Sequence, residues 1–312
     1  MGPGARTVST SDLHVVTGAF GYSGRYIAQE LLLRGYRVRT LTGHPDRPNP
    51  FGDRVEVAPF AFDAPARLAE SLRGAAALYN TYWVRFPRGP ASFDQAAANT
   101  QTLIRAAIEA GVRRFVHISI TNPSEDSPLP YFRAKAVVEH ILAGSGLSHA
   151  ILRPTVLFGK EDILINNIAW LLRTLPIFGV FRAGQYRVQP VCVADLAALA
   201  VDLAGQAQSM VVDAVGPEIY TFEEMIRLIR SEVGSHARII HVSPVLALAA
   251  ARLIGWLLRD VVITRDEISG LMADLLVSHQ TPSCPTRFSH WLAEHAAELG
   301  THYASELSRH YI

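Results

Sequence analysis

Tyr131 and Lys135 stand one helical turn apart in Tyr131-Phe132-Arg133-Ala134-Lys135, so a helix here turns a phenol and an ammonium the same way. A phenol titrates near pH ~10 in water, and a neighbouring ammonium favours the phenolate and lowers that value. The pair is equipped to give a proton to a developing alkoxide or to take one from an alcohol. Ser119, upstream of Tyr131, ends an apolar run and is the candidate for orienting the oxygen that receives the proton. Thr121 offers a second hydroxyl close by. A Tyr-x-x-x-Lys spacing occurs by chance in many proteins, so its meaning depends on the elements around it.

Those elements provide a place for a second reactant. Leu13-His14-Val15-Val16 reads as a short buried strand, and Tyr26, Ile27, Leu31 and Leu32 recur at helical spacing after it. Between them lies Thr17-Gly18-Ala19-Phe20-Gly21-Tyr22-Ser23-Gly24. A strand that turns through glycines into a helix presents unpaired backbone N–H groups where the helix dipole favours an anion. Gly18 suits the tight turn, Gly21 lets the backbone approach a pyrophosphate, and Gly24 lets helix and strand pack closely. Phe20 and Tyr22 lie in the same cofactor-facing turn. The expectation is a nicotinamide dinucleotide, whose hydride transfer would be matched by proton transfer at Tyr131.

A site selective for NAD(H) closes the second strand with an acid that holds the ribose hydroxyls. Here the strand ends Leu41-Thr42-Gly43-His44-Pro45, and Asp46 lies beyond the proline, followed by Arg47. Without that carboxylate nothing repels a 2′-phosphate, and Arg25, His44 and Arg47 are available cations. NADP(H) is expected, with NAD(H) as the alternative if these cations are plain surface residues.

Strand and helix signals alternate through the first half of the chain. Val38–Leu41, Val55–Phe60, Ala76–Tyr79, Arg114–Ser119 and His149–Leu152 read as strands, and 92–110 and 134–142 as amphipathic helices. The pattern predicts an α/β protein with a doubly wound parallel sheet, a Rossmann fold. Gln189–Val193, a helix over 194–204, and Val211–Ala214 are expected to return to that sheet. This gives a dinucleotide-binding domain of residues 10–157 plus about 188–216. A smaller, mostly helical substrate or partner lobe takes 158–187 plus 217–312. Ligands of such folds bind beyond the C-terminal ends of the strands.

With these residues in place, the first two-thirds of the chain resembles the short-chain dehydrogenase/reductase superfamily in its extended and atypical branches. The resemblance rests on Thr17-Gly-x-x-Gly-x-x-Gly24, Asp63 after the third strand, Asn99 in the helix before the fifth, Ser119, Tyr131 with Lys135, and Arg153-Pro154-Thr155. Within the superfamily the chain looks most like proteins related to the nucleotide-binding accessory subunit of respiratory complex I. Ile151–Gly159, Asn166-Asn167, Gln189-Pro190-Val191 and Asp195-Leu196-Ala197 fit that group. The resemblance implies that Asp63 lies near adenine, Lys135 near the nicotinamide ribose and Pro154 near the carboxamide. Asn80, Tyr82 and Trp83 after the fourth strand fall on the nicotinamide side, although the two aromatics are equally suited to ordinary packing. Asn99 reads as a helix-to-loop hydrogen bonder or a proton-relay member. Atypical relatives often carry Arg where this chain has Gly43, a departure that bears on the NADP(H) expectation.

The 312 residues are 49% hydrophobic and 18% charged, enough apolar material for a sizeable core. A net charge of +1 with no basic stripe gives no field for nucleic acid or an acidic membrane as a partner. Cys192 and Cys284 lack metal-ligand spacing, as do the late histidines, and no metal site is expected. The polar first residues read as cytoplasmic rather than secretory. The most apolar segment, Pro244–Leu258, is interrupted by Arg252 and too short to span a bilayer. It is expected to pack on its own chain or a second subunit, which would allow a homo-oligomer, with a membrane-surface role as the alternative. Two functions are open: a reductase, dehydrogenase or epimerase of a small-molecule carbonyl or alcohol, and a non-catalytic NADP(H)-binding sensor or structural subunit.

Overall fold

The computed structural model describes residues 12–310. β1 (Leu13–Thr17) is buried throughout and leads through the glycine turn into α1 (Tyr22–Leu33). That helix turns Gly24, Ile27, Ala28 and Leu31 inward, the i, i+3, i+4, i+7 spacing of one face. β2 (Arg37–Thr42) and β3 (Val55–Pro59) follow. α2 (Pro65–Leu72) begins on a proline, tolerated because the first helical N–H has no intrahelical partner. β4 (Ala75–Asn80) is buried along its length, and α3 (Phe93–Glu109) starts where the Ser92 hydroxyl accepts from the Gln95 N–H at 3.0 Å. β5 (Arg114–Ile118), α4 (Pro130–Ala143) and β6 (His149–Pro154) complete the run.

After β6 the chain builds other structure before returning. β7 (Val156–Phe158), α5 (Leu164–Thr174), β8 (Ile177–Phe181), β9 (Arg187–Val188) and β10 (Pro190–Cys192) come first. α6 (Val193–Ala204) and β11 (Met210–Ala214) then rejoin the sheet. β12 (Tyr220–Thr221), α7 (Phe222–Glu232) and β13 (Arg238–Val242) follow. The chain ends in α8 (Pro244–Leu258), α9 (Arg265–Met272), α10 (Phe288–His295) and α11 (Glu306–His310).

Backbone packing divides the chain into two compact units. One runs to Pro154 and takes in Ala194–Asp213; the other comprises Thr155–Val193 and the chain from Ala214 onward. The first holds a seven-stranded sheet of order β11-β6-β5-β4-β1-β2-β3, parallel at every pairing from β3 to β6. This is the expected Rossmann architecture. The chain leaves β1 toward β3 on one side and returns through β4 toward β6 on the other, so the strand order reverses between β1 and β4, the place where such sheets receive ligands. Its core packs Val15, Leu41, Leu78, Phe115 and Ile151 of the sheet against Leu68, Leu103, Ala107 and Leu142 of the helices.

The second unit has its own core, in which Phe158, Ile165, Leu172, Val180, Ile226, Ile229 and Phe288 meet. One expectation is corrected here. Gln189–Val193 does not return to the large sheet: Pro190–Cys192 pairs in parallel with β7, and Thr155 Oγ1 donates to the Gln189 carbonyl. Pro244–Leu258 is a helix, as expected, and packs on its own unit through Ala247 and Leu248, while only Gly255 of it is buried. An apolar run reveals how much greasy surface a helix carries, not whether a neighbour covers it.

Candidate functional site

The glycine turn is built as the sequence required. Gly18 adopts the left-handed backbone (φ +68°) and its N–H donates to the Leu41 carbonyl at 2.7 Å, pinning the end of β1 to β2. The Gly21 N–H returns to the Gly18 carbonyl at 2.8 Å. Gly21 is the N-cap of α1 and supplies no side chain over the helix start, which keeps the first N–H groups accessible to an anion. A Cβ on Gly24 would stand 2.3 Å from the Gly18 carbonyl oxygen, so only glycine lets α1 approach β1 this closely. The cradle therefore fits a pyrophosphate. Phe20 and Tyr22 are half-buried in the turn, Tyr22 edge-on to Tyr26 at 6.0 Å.

The floor beside the turn is tied together by Thr17. Its hydroxyl accepts from the Thr81 and Tyr82 N–H groups at 2.8 and 2.9 Å and donates to Asn80 Oδ1 at 3.2 Å. The Asn80 amide is consumed inside the sheet: Oδ1 also accepts from the Tyr82 N–H, and Nδ2 donates to His117 Nδ1 at 3.1 Å. This orientation keeps His117 neutral with its proton on Nε2, in accord with burial, and Lys135 nearby, holding its pKa well below the ordinary value. Asn80, expected on the cofactor side, is thus an internal tie between strand ends. Asn99 takes the bonding role, donating to the Tyr82 hydroxyl at 2.8 Å, and Tyr82 packs against Phe60 and Phe62. Asp63 follows that stacked pair and is exposed. His44 is exposed at the end of β2, with its N–H on Thr42 Oγ1, and half-buried Arg47 closes the turn by an N–H to the His44 carbonyl.

Tyr131 and Lys135 lie on the first turns of α4 and share Trp83. Lys135 Nζ stands 4.1 Å from the Trp83 ring centroid, a cation–π geometry, and donates to the Ile118 carbonyl at 2.8 Å. The half-buried Tyr131 ring meets Trp83 edge-on at 6.0 Å and Phe93 at 5.5 Å. Burial pushes the Lys135 ammonium from 10.5 down to about 7, while Glu139 pulls the other way. Lys135 thus keeps its proton to a higher pH in the unfolded chain than in the folded one. The unfolded state binds more protons between those two values, and stability contributed at this site rises as pH climbs through that window. Lys135→Met is accordingly expected to have its greatest stability relative to wild type below about pH 7 and to lose ground toward pH ~10. Urea midpoints of both proteins across that range test it; a constant difference would contradict the assignment.

Ser119 follows the Ile118 carbonyl that Lys135 holds, but its hydroxyl is engaged elsewhere. Its hydroxyl donates to Glu139 Oε1, and Glu139 is clamped by Arg153, whose Nε lies 3.1 Å from both carboxylate oxygens and whose Nη2 lies 2.5 Å from Oε2. That hydrogen-bonded carboxylate raises the Arg153 pKa. Thr121 is spent as well, its hydroxyl on the Arg153 carbonyl at 3.1 Å and its N–H on the Pro154 carbonyl at 3.0 Å. Pro154 ends β6 on this same edge. The group that sequence reasoning missed is Glu139. Its signal was present, since Tyr131, Lys135 and Glu139 repeat every four residues along one face of α4.

Residues 18–168 match the family model described as NAD(P)H-binding. The chain is 26% identical over 298 residues to subunit 9 of the mitochondrial NADH dehydrogenase [ubiquinone] 1 alpha subcomplex of Arabidopsis thaliana, covering 89% of this chain and 74% of that one. Among solved structures, a nucleoside-diphosphate-sugar epimerase from Staphylococcus aureus superposes with a TM-score of 0.73 at 14% identity, over 90% of this chain and 99% of the other. A UDP-glucuronic acid 4-epimerase from Bacillus cereus, solved with NAD, superposes with a TM-score of 0.63 at 19% identity, over 74% and 86%. Glycine cradle, switch point and family match agree: residues 18–168 match an NAD(P)H-binding domain, carried on a Rossmann fold.

Proposed function

We propose that this chain binds NADPH and couples it to reduction of a small carbonyl compound, or to the reverse oxidation of an alcohol. When bound, the dinucleotide supplies the hydride. Tyr131 donates the proton to the nascent alkoxide oxygen, and Lys135 eases that transfer and holds the nicotinamide ribose. The observation that carries this reading is the common Trp83 platform, which gathers phenol and ammonium beside the C-terminal ends of β4 and β5. The buried Trp83 Nε1–H has no hydrogen-bond partner among the described residues, a donor that a ligand acceptor would satisfy.

The preference for NADPH rests on the end of β2, Leu41-Thr42-Gly43, which carries no acid and is followed by His44 and, beyond Asp46, Arg47. Calorimetric titration is expected to show tighter binding of NADPH than of NADH, and the opposite order would overturn the preference. Loss of NADPH absorbance against a panel of aldehydes, ketones and quinones tests the reaction. A second reading, nucleotide held without turnover, is favoured by the commitment of the Ser119 hydroxyl to Glu139. Tight NADPH binding with no turnover on any carbonyl decides for it.

A further inference from the structure

α8 is the anomaly of the surface. Val245, Leu246, Leu253, Trp256 and Leu257 are between 60% and 76% exposed, whereas soluble surfaces keep large apolar side chains scattered singly. The helix is otherwise well made. Ser243 caps its start by accepting from the Leu246 N–H, and Ala247 and Leu248 pack on the core of the second unit. A Cβ on Gly255 would come within 2.5 Å of the Asp260 carbonyl oxygen, so the turn that ends the helix folds back tightly on its last turn. What faces out is a continuous apolar stripe.

The charges on this element have one sign. From Ser243 to Arg259 there is no acid, and the two cations, Arg252 and Arg259, are seven residues apart and so lie on the same side of the helix axis. Both are exposed. Asp260, the next residue, is buried and occupied by the Tyr303 hydroxyl and the Glu306 and Leu307 N–H groups. Exposed tryptophan and leucines bordered by arginines, with no acid on the element, match the chemistry of an anionic lipid surface. At 1.5 Å per residue the helix is about 22 Å long, short of a ~30 Å hydrocarbon core, so it can lie on a bilayer but not cross it. Self-pairing is the weaker occupant. A second copy brings no carboxylate on this face to meet Arg252 and Arg259, whereas lipid phosphates would meet both.

We propose that α8 docks this protein on anionic membrane surfaces, Trp256 and the leucines entering the headgroup boundary while Arg252 and Arg259 meet lipid phosphates. The test is flotation of the full chain with liposomes of phosphatidylcholine containing about 30% phosphatidylglycerol. Wild type is expected to float with these vesicles and to bind phosphatidylcholine alone several-fold more weakly. Leu253→Glu, at an exposed position that leaves the fold intact, should lower binding about ten-fold or more by placing a charge in the stripe. Arg252→Gln should lower it about five-fold, the worth of one cation at such a surface. Wild type that does not float, binding that survives Leu253→Glu, or equal binding to neutral vesicles would each overturn the proposal. So would a concentration-dependent dimer that Leu253→Glu dissolves without any vesicle binding, which would make the face a self-association surface.

Discussion

Gly24→Ala is expected to lower NADPH affinity by two orders of magnitude or more and to destabilise the fold by about 1–3 kcal/mol, the range for overpacking a close contact. One methyl has this effect because of what it meets. The new Cβ would stand 2.3 Å from the Gly18 carbonyl oxygen, 2.8 Å from its carbon and 3.1 Å from Thr81 Oγ1. Two of those atoms are backbone, and Gly18 cannot yield: its φ of +68° and its hydrogen bond to Leu41 fix it. α1 must therefore move off β1, carrying the N–H groups at its start away from where a pyrophosphate is held. Hydrogen bonds weaken steeply with such misplacement. Gly21 offers the internal comparison. Its Cβ would meet the same oxygen at 3.2 Å, a milder clash, so Gly21→Val should lose less stability than Gly24→Ala yet block the approach of the pyrophosphate. Urea unfolding and calorimetric titration of the two variants separate strain from binding. Normal NADPH affinity in Gly24→Ala would show that the α1 start does not hold the phosphates.

The parts of this molecule that were legible in its sequence are those fixed by local rules. The glycine turn could be read because Gly18 and Gly24 answer backbone demands that no other residue meets, and because strand and helix periods flank it. The Tyr131–Lys135 pair could be read because helical spacing alone sets its geometry. Ser119 and Asn80 could not. Each ends a strand, and where a strand-end side chain turns depends on the partner opposite: Glu139 from α4 takes the Ser119 hydroxyl, and His117 from β5 takes the Asn80 amide. These are contacts between residues 20 and 37 positions apart. The return of Val211–Ala214 to the sheet was visible as a β-branched run, but Gln189–Cys192 looks much the same and pairs instead with β7. For α8, hydropathy gave the helix and its greasy face, and only the packing of the second unit shows which side of it that unit leaves exposed.

Tyr131→Phe is expected to cut carbonyl reduction by 10²–10⁴-fold, the usual contribution of a positioned acid–base group. NADPH affinity should barely change. The substitution removes one hydroxyl and keeps the ring, whose packing against Trp83, Phe93 and Phe132 at 6.0, 5.5 and 5.8 Å is what orders the start of α4. Stability should therefore stay within about 1 kcal/mol of wild type, the scale of a single hydrogen bond. Lys135→Ala provides the contrast. It empties the buried position over Trp83, removes the donor to the Ile118 carbonyl and deletes the charge beside the phenol, so activity and NADPH affinity should fall together. If the two residues act as one unit, the double variant will be hardly slower than the worse single variant, because the second loss removes a step already disabled. Stopped-flow oxidation of bound NADPH reads the chemical step apart from product release. A Tyr131→Phe enzyme that turns over at the wild-type rate would take the proton from another donor, and the shared Trp83 platform would then be packing alone.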